Sequence, residues 1–258
     1  FVGRVTTAES DIYRINLDAT GRALGAPARL TQDTRDNNWP SVSPDGKHVA
    51  YTYDFNRGIA VMTADGAAER PLQVVRTRGP IDWRSADDVL FRRVTEGPVP
   101  NAGPLSSLNI KTGAVQTLVE LPAGVIPWQY VASKNEVFYA VPVPGAGRGA
   151  SGAKAELRAK SITTGADRVV AQITDMVTTL DFGFRVSPDG AHVAYTRWVK
   201  TGNATRPELH LMTIDGQGDR VIAQPEGSVD WSSDGRRLLY FAENSLKVFD
   251  AVSGQSWS

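Results

Sequence analysis

The sequence predicts an all-β fold, a six-bladed β-propeller of four-stranded antiparallel blades, and two observations lead to this prediction. First, a strand, a tight turn of Ser-Pro-Asp-Gly or Ser-Ser-Asp-Gly and a second apolar strand recur at residues 37–52, 181–197 and 229–241. Second, short apolar segments alternate with Gly- and Asp-containing turns along the chain, and no amphipathic segment of helix length interrupts them. A hairpin repeated along a chain indicates a repeat architecture.

The spacing of the turns agrees with a propeller. Corresponding turns begin near residues 43, 85, 133, 187 and 232. Their separation is roughly 40 to 55 residues, which is close to the length of one four-stranded blade. Each blade buries its faces against its neighbours, so the apolar pattern is retained while turn identity drifts.

The repeated turn has a local explanation. Pro44 presets φ, Asp45 bonds back to nearby backbone, and Gly46 takes the left-handed conformation. Asp189 and Asp234 occupy the same place in the other two copies. We therefore expect all three aspartates to stabilise their own turns.

Taken in order, the strand pattern predicts one propeller domain over residues 1–258. Each unit supplies an inner hairpin, a third strand and an outer strand, and the third strands include residues 11–17, 59–63, 108–110, 155–161, 208–213 and 246–250. The blades are predicted at roughly 1–33, 34–76, 77–121, 122–173, 174–224 and 225–258. The first unit is expected to lack an inner strand. The ring would then close through the C-terminal tail, remain incomplete, or continue in residues outside this sequence.

The composition excludes several classes of partner and of chemistry. The 258 residues include 28 basic and 28 acidic side chains, and a net charge of zero argues against nucleic acid or an anionic membrane as the main partner. The absence of cysteine removes thiol chemistry, cysteine-ligated zinc and disulfides. No apolar run approaches the ~20 residues of a membrane span, so no membrane insertion is expected.

One segment resembles a known repeat. Trp-Pro-Ser-Val-Ser-Pro-Asp-Gly-Lys-His-Val-Ala-Tyr-Thr at residues 39–52, followed by Thr-Ala-Asp-Gly at 63–66, resembles the WD40-like PD40 repeat. This repeat forms the C-terminal propeller of the TolB family and occurs in propellers of prolyl-oligopeptidase-type peptidases. The likeness is close at 37–66 and 181–216, partial at 226–250, and weak between 80 and 170. It implies a six-bladed, usually bacterial propeller that is periplasmic or otherwise exported. Residues 1–258 contain no segment that resembles the N-terminal α/β domain of TolB.

The histidines do not predict a catalytic centre. His48 and His192 lie at the same place in two repeats, which favours a structural role, and His210 lies within a third strand. No metal-ligand spacing such as His-x-x-x-His and no Gly-x-Ser-x-Gly motif occurs. We therefore predict no catalytic residue, no metal and no cofactor, and leave open a cation bound in the central channel.

Alignment of the innermost strands predicts two rings of side chains, because side chains alternate along a strand. The ring packed between blades would comprise Val42, Trp83, Trp128, Val186 and Trp231. The ring facing the channel would comprise Ser41, Asp82, Pro127, Arg185 and Asp230. Two interpretations of the second ring remain: a hydrated, charge-balanced lining, or a site for a cation or small polar ligand.

The rim carries further candidates. Asp36, Asn38 and Trp39 precede one inner strand, Arg78 precedes the next, and Phe55 and Trp198 lie at the opposite ends of second strands. Loops on a rigid scaffold carry recognition, and Arg with aromatic residues is typical of interface hot spots.

These features predict a non-catalytic scaffold that binds a protein or peptide at one channel mouth, as a monomer or as part of a larger multidomain chain. The alternative is an enzyme: a propeller hydrolase or lyase, or the substrate-gating propeller of a prolyl-oligopeptidase-type peptidase.

Overall fold

The computed structural model describes most of the chain, in two compact units, Phe1–Gly124 and Val125–Ser258. The described residues are 2–6, 10–54, 57–73, 76–77, 79–94, 103–122, 125, 128–143, 153–177, 183–202 and 204–257. Both units consist of antiparallel sheets whose strands follow one another in chain order.

The first unit holds three sheets. A three-stranded sheet is formed by β1 (Val2–Thr6), β2 (Ser10–Arg14) and β3 (Ala28–Arg29). The second sheet comprises β4 (Asn38–Val42), β5 (His48–Tyr53), β6 (Gly58–Thr63) and β7 (Arg70–Gln73). The third comprises β8 (Asp82–Trp83), β9 (Asp88–Arg92), β10 (Leu105–Asn109) and β11 (Val115–Val119).

The second unit also holds three sheets, each four-stranded. The first comprises β12 (Trp128–Val131), β13 (Glu136–Pro142), β14 (Lys154–Ser161) and β15 (Asp167–Thr174). The next comprises β16 (Phe184–Val186), β17 (His192–Thr201), β18 (Ala204–Thr213) and β19 (Arg220–Ala223). The last comprises β20 (Val229–Trp231), β21 (Arg237–Ala242), β22 (Ser245–Asp250) and β23 (Ser256–Trp257).

The prediction of six four-stranded blades is therefore wrong. The described residues form five four-stranded blades and one three-stranded sheet. In the three-stranded sheet β1 pairs with β2 alone among the described strands. Within the described residues this sheet therefore has one strand fewer than the other five.

The repeated turns confirm the predicted role of their aspartates. Asp45 accepts hydrogen bonds from the Ser43 hydroxyl at 2.7 Å and the Lys47 amide at 3.2 Å, and Gly46 has φ of 71°. Asp189 and Asp234 bond in the same way to Ser187 and Ser232. The hydrogen bonds within the turn thus help to close each of these three inner hairpins.

Apolar side chains from adjacent sheets pack face to face within each unit. Ala50 and Ile59 pack with Trp83, Phe91 and Leu108 between the second and third sheets. In the second unit, equivalent clusters lie on both faces of the β16–β19 sheet. This interblade packing holds the inner strands in place. Within the described residues, no helix is long and apolar enough to cross a membrane.

Candidate functional site

The inner strands share one pairing register, and this register defines the equivalent positions. Trp83 pairs with Val89, Val186 with Val193, and Trp231 with Leu238. All three inner-strand residues are buried. The residues just before them, Asp82, Arg185 and Asp230, alternate to the opposite face of their strands.

The register corrects the predicted rings at β12. Tyr130 pairs with Val137, as Val186 pairs with Val193, so Tyr130 and not Trp128 occupies the equivalent position. Gln129 therefore takes the place assigned to Pro127, which lies outside the described residues. Because the shift is two residues, Trp128 keeps the expected face and is buried. The sequence alignment matched Trp128 to Trp83 and Trp231 because all three are tryptophans. The hairpin register shows instead that Tyr130 is the structural equivalent.

A second correction concerns Val42, which was expected to pack between blades. Its side chain is 43% exposed. The β4–β5 register shifts between Asn38 and Ser41, and Trp39 has a positive φ of 52°. This bulge changes the direction of the strand just before Val42.

Hydrogen bonds join neighbouring inner strands. The Trp83 indole donates to the Ser41 carbonyl oxygen at 3.0 Å, and the Trp231 indole donates to the Arg185 carbonyl oxygen at 3.0 Å. Gln129, which the sequence analysis missed, uses its side-chain amide to pair with Val186: it donates to the carbonyl oxygen at 2.9 Å and accepts from the amide at 2.7 Å. These contacts fix the backbone that carries the candidate charged residues.

Arg185 and Asp230 come together in the second unit. Arg185 Nε lies 3.8 Å from Asp230 Oδ1, and Arg185 Nη1 donates to the Phe184 carbonyl oxygen at 3.0 Å. Asp230 Oδ1 also accepts the Trp231 amide at 2.9 Å. The Asp230 side chain is 63% exposed and that of Arg185 25%. The pair is therefore anchored to backbone groups of its own strands, while part of each side chain is exposed to solvent.

The electrostatics of Asp230 differ from those of the turn aspartates. Desolvation by the surrounding protein raises the pKa of Asp230, and the Arg185 guanidinium and the Trp231 amide oppose the rise. In the first unit Asp82 is half-buried and accepts the Trp83 amide at 2.8 Å, the same contact that Asp230 makes.

The other predicted rim residues lie in diverse surroundings. Asn38 is buried and donates to the Asp36 carboxylate at 2.7 Å and carbonyl at 3.2 Å, so both residues stabilise the entry to β4. Trp39 and Ser41 are half-buried. Trp198 is 37% exposed, and its amide donates to the Asp175 carbonyl oxygen at 3.0 Å. The predicted residues Phe55 and Arg78 lie outside the described part of the chain.

The histidines lie at structural positions. His48 and His192 each face the tryptophan of the next blade, with ring centroids 6.5 Å from Trp83 and 6.4 Å from Trp231, respectively. His210 is 4% exposed, and its Nδ1 lies 3.0 Å from Asp219 Oδ1. In the part of the chain that the structure describes, no group of three or more His, Asp or Glu side chains could hold a metal ion.

Comparison with known proteins supports the fold. No protein-family model matches the sequence, and no curated protein matches it. Among solved structures, TolB from Acinetobacter baumannii is similar with a TM-score of 0.64 and 19% identity, over 88% of this chain and 52% of TolB. This chain thus spans about half the length of that TolB.

Two further solved structures resemble the chain. An oligogalacturonate lyase in complex with manganese matches with a TM-score of 0.58 and 13% identity, over 99% of this chain and 73% of the lyase. A chain of a nidogen/laminin complex matches with a TM-score of 0.67 and 10% identity, over 96% of this chain and 89% of its own length. At these identities the likenesses establish a TolB-like β-propeller fold and no activity.

Proposed function

We propose that the protein is a non-catalytic propeller scaffold that binds a protein or peptide segment through its inner strands, with Arg185 and Asp230 as central contacts. The observation that carries the proposal is the geometry of this pair. Arg185 Nε and Asp230 Oδ1 lie 3.8 Å apart. The residue that follows each of them on its strand, Val186 or Trp231, is buried.

A preorganised pair of opposite charges suits peptide recognition. Little side-chain ordering is required on binding, because Arg185 Nη1 already donates to the Phe184 carbonyl oxygen and Asp230 Oδ1 already accepts the Trp231 amide. The guanidinium matches a carboxylate of the partner, and the Asp230 carboxylate matches an ammonium or an amide N–H. The other contacts predicted from the sequence are Asp36, Asn38, Trp39, Ser41, Phe55, Arg78, Asp82 and Trp198, and they stay separate predictions.

The structural likenesses are compatible with this proposal. One of them is to a chain solved in a protein–protein complex, and another is to TolB. Following the resemblance of residues 39–52 to the PD40 repeat, we also propose that the protein is a PD40-type propeller that acts in the periplasm or outside the cell. Subcellular fractionation of the full-length gene product tests the location.

A peptide-display experiment tests the binding function. Peptides enriched on the wild-type chain are synthesised, and their affinities are measured by fluorescence anisotropy for the wild type and for Arg185→Ala with Asp230→Ala. We expect the dissociation constant to rise about tenfold or more in this variant, equal to at least ~1.4 kcal/mol.

A matched control removes an ion pair elsewhere. Lys111 and Asp87 lie 2.7 Å apart in an exposed pair in the first unit, so Lys111→Ala with Asp87→Ala should leave the affinity unchanged. If every enriched peptide binds the Arg185/Asp230 variant as well as the wild type, the proposed site is wrong.

The enzymatic alternative is tested separately. The likeness to oligogalacturonate lyase concerns the fold, so oligogalacturonate with added Mn²⁺ is the first substrate to assay, by the ultraviolet absorbance of the unsaturated product. Turnover that disappears in the Arg185→Ala variant would replace the scaffold proposal with the lyase.

A further inference from the structure

A cleft lies within the second unit, between strand β15 and the β17–β18 hairpin. Its volume is about 370 Å³, within the range of clefts that hold small ligands or side chains. One wall consists of residues 170–174 of β15. The other wall and the floor comprise Tyr195, Arg197, Met212, Asp215, Gly216 and Asp219. We refer to it as the β15 cleft.

The β15 wall is the open edge of a sheet. β15 is the outermost strand in the order β12-β13-β14-β15, and no described strand pairs with its outer side. Five consecutive residues line the cleft. Because successive side chains point to opposite faces, a run of consecutive lining residues places the cleft along the strand edge.

β15 is also long for an outer strand. It has eight residues, whereas the outer strands β7, β11, β19 and β23 have four, five, four and two. Natural proteins usually shorten or cover such edges because an unpaired ladder accepts another strand. A long edge beside a cleft is therefore an exception within this fold.

The hydrogen-bond register shows which backbone groups face the open edge. Asp175 donates its amide to the Ala153 carbonyl oxygen at 2.7 Å, and Ile173 pairs with Ala155 two residues further along β14. In an antiparallel pair, hydrogen-bonded positions alternate with positions whose groups point away. The backbone N–H and C=O of Gln172 and Thr174 therefore point outward, along the cleft.

The opposite wall carries charge. Asp215 and Asp219 contribute two carboxylates and Arg197 one guanidinium, so the lining has a net negative charge. Asp219 is oriented by His210 Nδ1 at 3.0 Å. Burial raises the pKa of Tyr195, and its hydrogen bond with Asp219 raises it further, so the phenol stays neutral. Ile173 belongs to the core cluster that packs this face of β15 against the β16–β19 sheet, and the partly buried Ala171 packs against that cluster.

We propose that the β15 cleft binds an extended peptide segment of a protein partner, one that adds a strand to the edge of β15 and directs a lysine or arginine side chain towards Asp215 and Asp219. In strand addition, main-chain hydrogen bonds supply affinity and pockets for alternate side chains supply specificity. Gln172 and Thr174 would supply the main-chain hydrogen bonds. Asp215 and Asp219 would supply the side-chain specificity. This site is separate from Arg185 and Asp230, so its test does not depend on theirs.

The test uses a fluorescein-labelled peptide of alternating threonine and valine with one central lysine, and the same peptide with glutamate in its place. Binding to the full chain is followed by fluorescence anisotropy. We expect the lysine peptide to bind about tenfold or more tightly than the glutamate peptide. Backbone amide signals of residues 170–174 should shift on addition of the lysine peptide in NMR spectra.

Two variants separate strand pairing from charge. Thr174→Pro removes an outward N–H that makes no bond within the sheet, which an edge strand tolerates, and Thr174→Ala retains this N–H as its control. Asp215→Asn removes a carboxylate from the cleft. Its control is Asp65→Asn, because Asp65 accepts the Thr63 hydroxyl in the first unit as Asp215 accepts that of Thr213.

The proposal requires that Thr174→Pro and Asp215→Asn each weaken binding of the lysine peptide about tenfold, while both controls bind as the wild type does. Circular dichroism checks that each variant is folded. Undetectable binding of the lysine peptide to the wild type overturns the proposal. Equal binding of the two peptides, or unchanged binding to Thr174→Pro, overturns it as well.

Discussion

The Trp231 indole N–H donates to the carbonyl oxygen of Arg185 at 3.0 Å, so a buried aromatic side chain of one blade holds the backbone of a candidate binding residue in the preceding blade. Trp83 and Ser41 repeat this contact in the first unit at the same distance. The repetition shows that the contact belongs to the fold. The two contacts differ in the side chain of the acceptor residue, which is Ser41 in the first unit and the charged Arg185 in the second.

Replacing Trp231 tests this contact. In Trp231→Phe the Arg185 carbonyl loses its donor, and the free energy of unfolding should fall by about 1–3 kcal/mol. Urea denaturation followed by circular dichroism measures the change. Trp198→Phe is the control, because Trp198 is 37% exposed and its replacement should cost little. Equal effects of the two substitutions would contradict the assigned role.

Arg92 provides a second test of stability. Its guanidinium is fully buried and donates to the carbonyl oxygens of Gly103, Leu121 and Pro122 at 3.0, 3.2 and 2.5 Å. Burial lowers the pKa of Arg92. Arg92→Met removes all three donations and should destabilise the fold by about 3–5 kcal/mol.

Two variants qualify the result for Arg92. Arg92→Lys retains the charge but lacks the planar set of donors, so its unfolding midpoint should lie between those of the wild type and Arg92→Met. The neighbouring Arg93 is exposed, and Arg93→Met should leave the midpoint unchanged. A stable Arg92→Met variant would show that the three carbonyls find other donors.

The turn aspartates predict a pH dependence of stability. The Ser187 hydroxyl, followed by the Ala191 amide, lowers the pKa of Asp189 in the folded state despite opposing desolvation. A carboxylate with a lowered folded pKa contributes stability above its ordinary value of 3.8, and this contribution is lost as the pH falls through the folded pKa. The urea midpoint should therefore decrease below about pH 5.

Asp189→Asn should make this decrease shallower, because the variant side chain does not titrate. Ser187→Ala should raise the pKa of Asp189 towards its ordinary value, as followed by NMR of the carboxyl carbon. An unchanged carboxyl titration in Ser187→Ala would show that the hydroxyl does not lower the pKa.

Asp230 is predicted to titrate at higher pH than Asp189. Desolvation raises the pKa of Asp230, whereas Arg185 lowers it. Carboxyl NMR titration of the wild type should separate the two groups, and Arg185→Gln should move the titration of Asp230 further upward. Titration of Asp230 together with Asp189 at low pH would contradict the predicted environment.

Much of the fold was predictable from the sequence because its determinants are local. A turn of Ser, Pro, Asp and Gly closes its own hairpin, as Asp45 and Gly46 show, and strand alternation specifies which face is apolar. The repetition of the pattern then predicts blades. Local patterns do not specify how many strands join one sheet. The sequence therefore predicted six four-stranded blades, whereas the described residues form five.

The sequence by itself determined the β-blade architecture, the turn chemistry and the burial of Trp83 and Trp231. Only the tertiary structure decided that Gln129 replaces Pro127 at its ring position, that Val42 is exposed, and that Arg185 lies beside Asp230. It also brought β15 beside Asp215 and Asp219. The physical reason is that register, bulges and contacts between blades depend on hydrogen bonds between residues far apart in the chain, and no local pattern encodes which residues those will be.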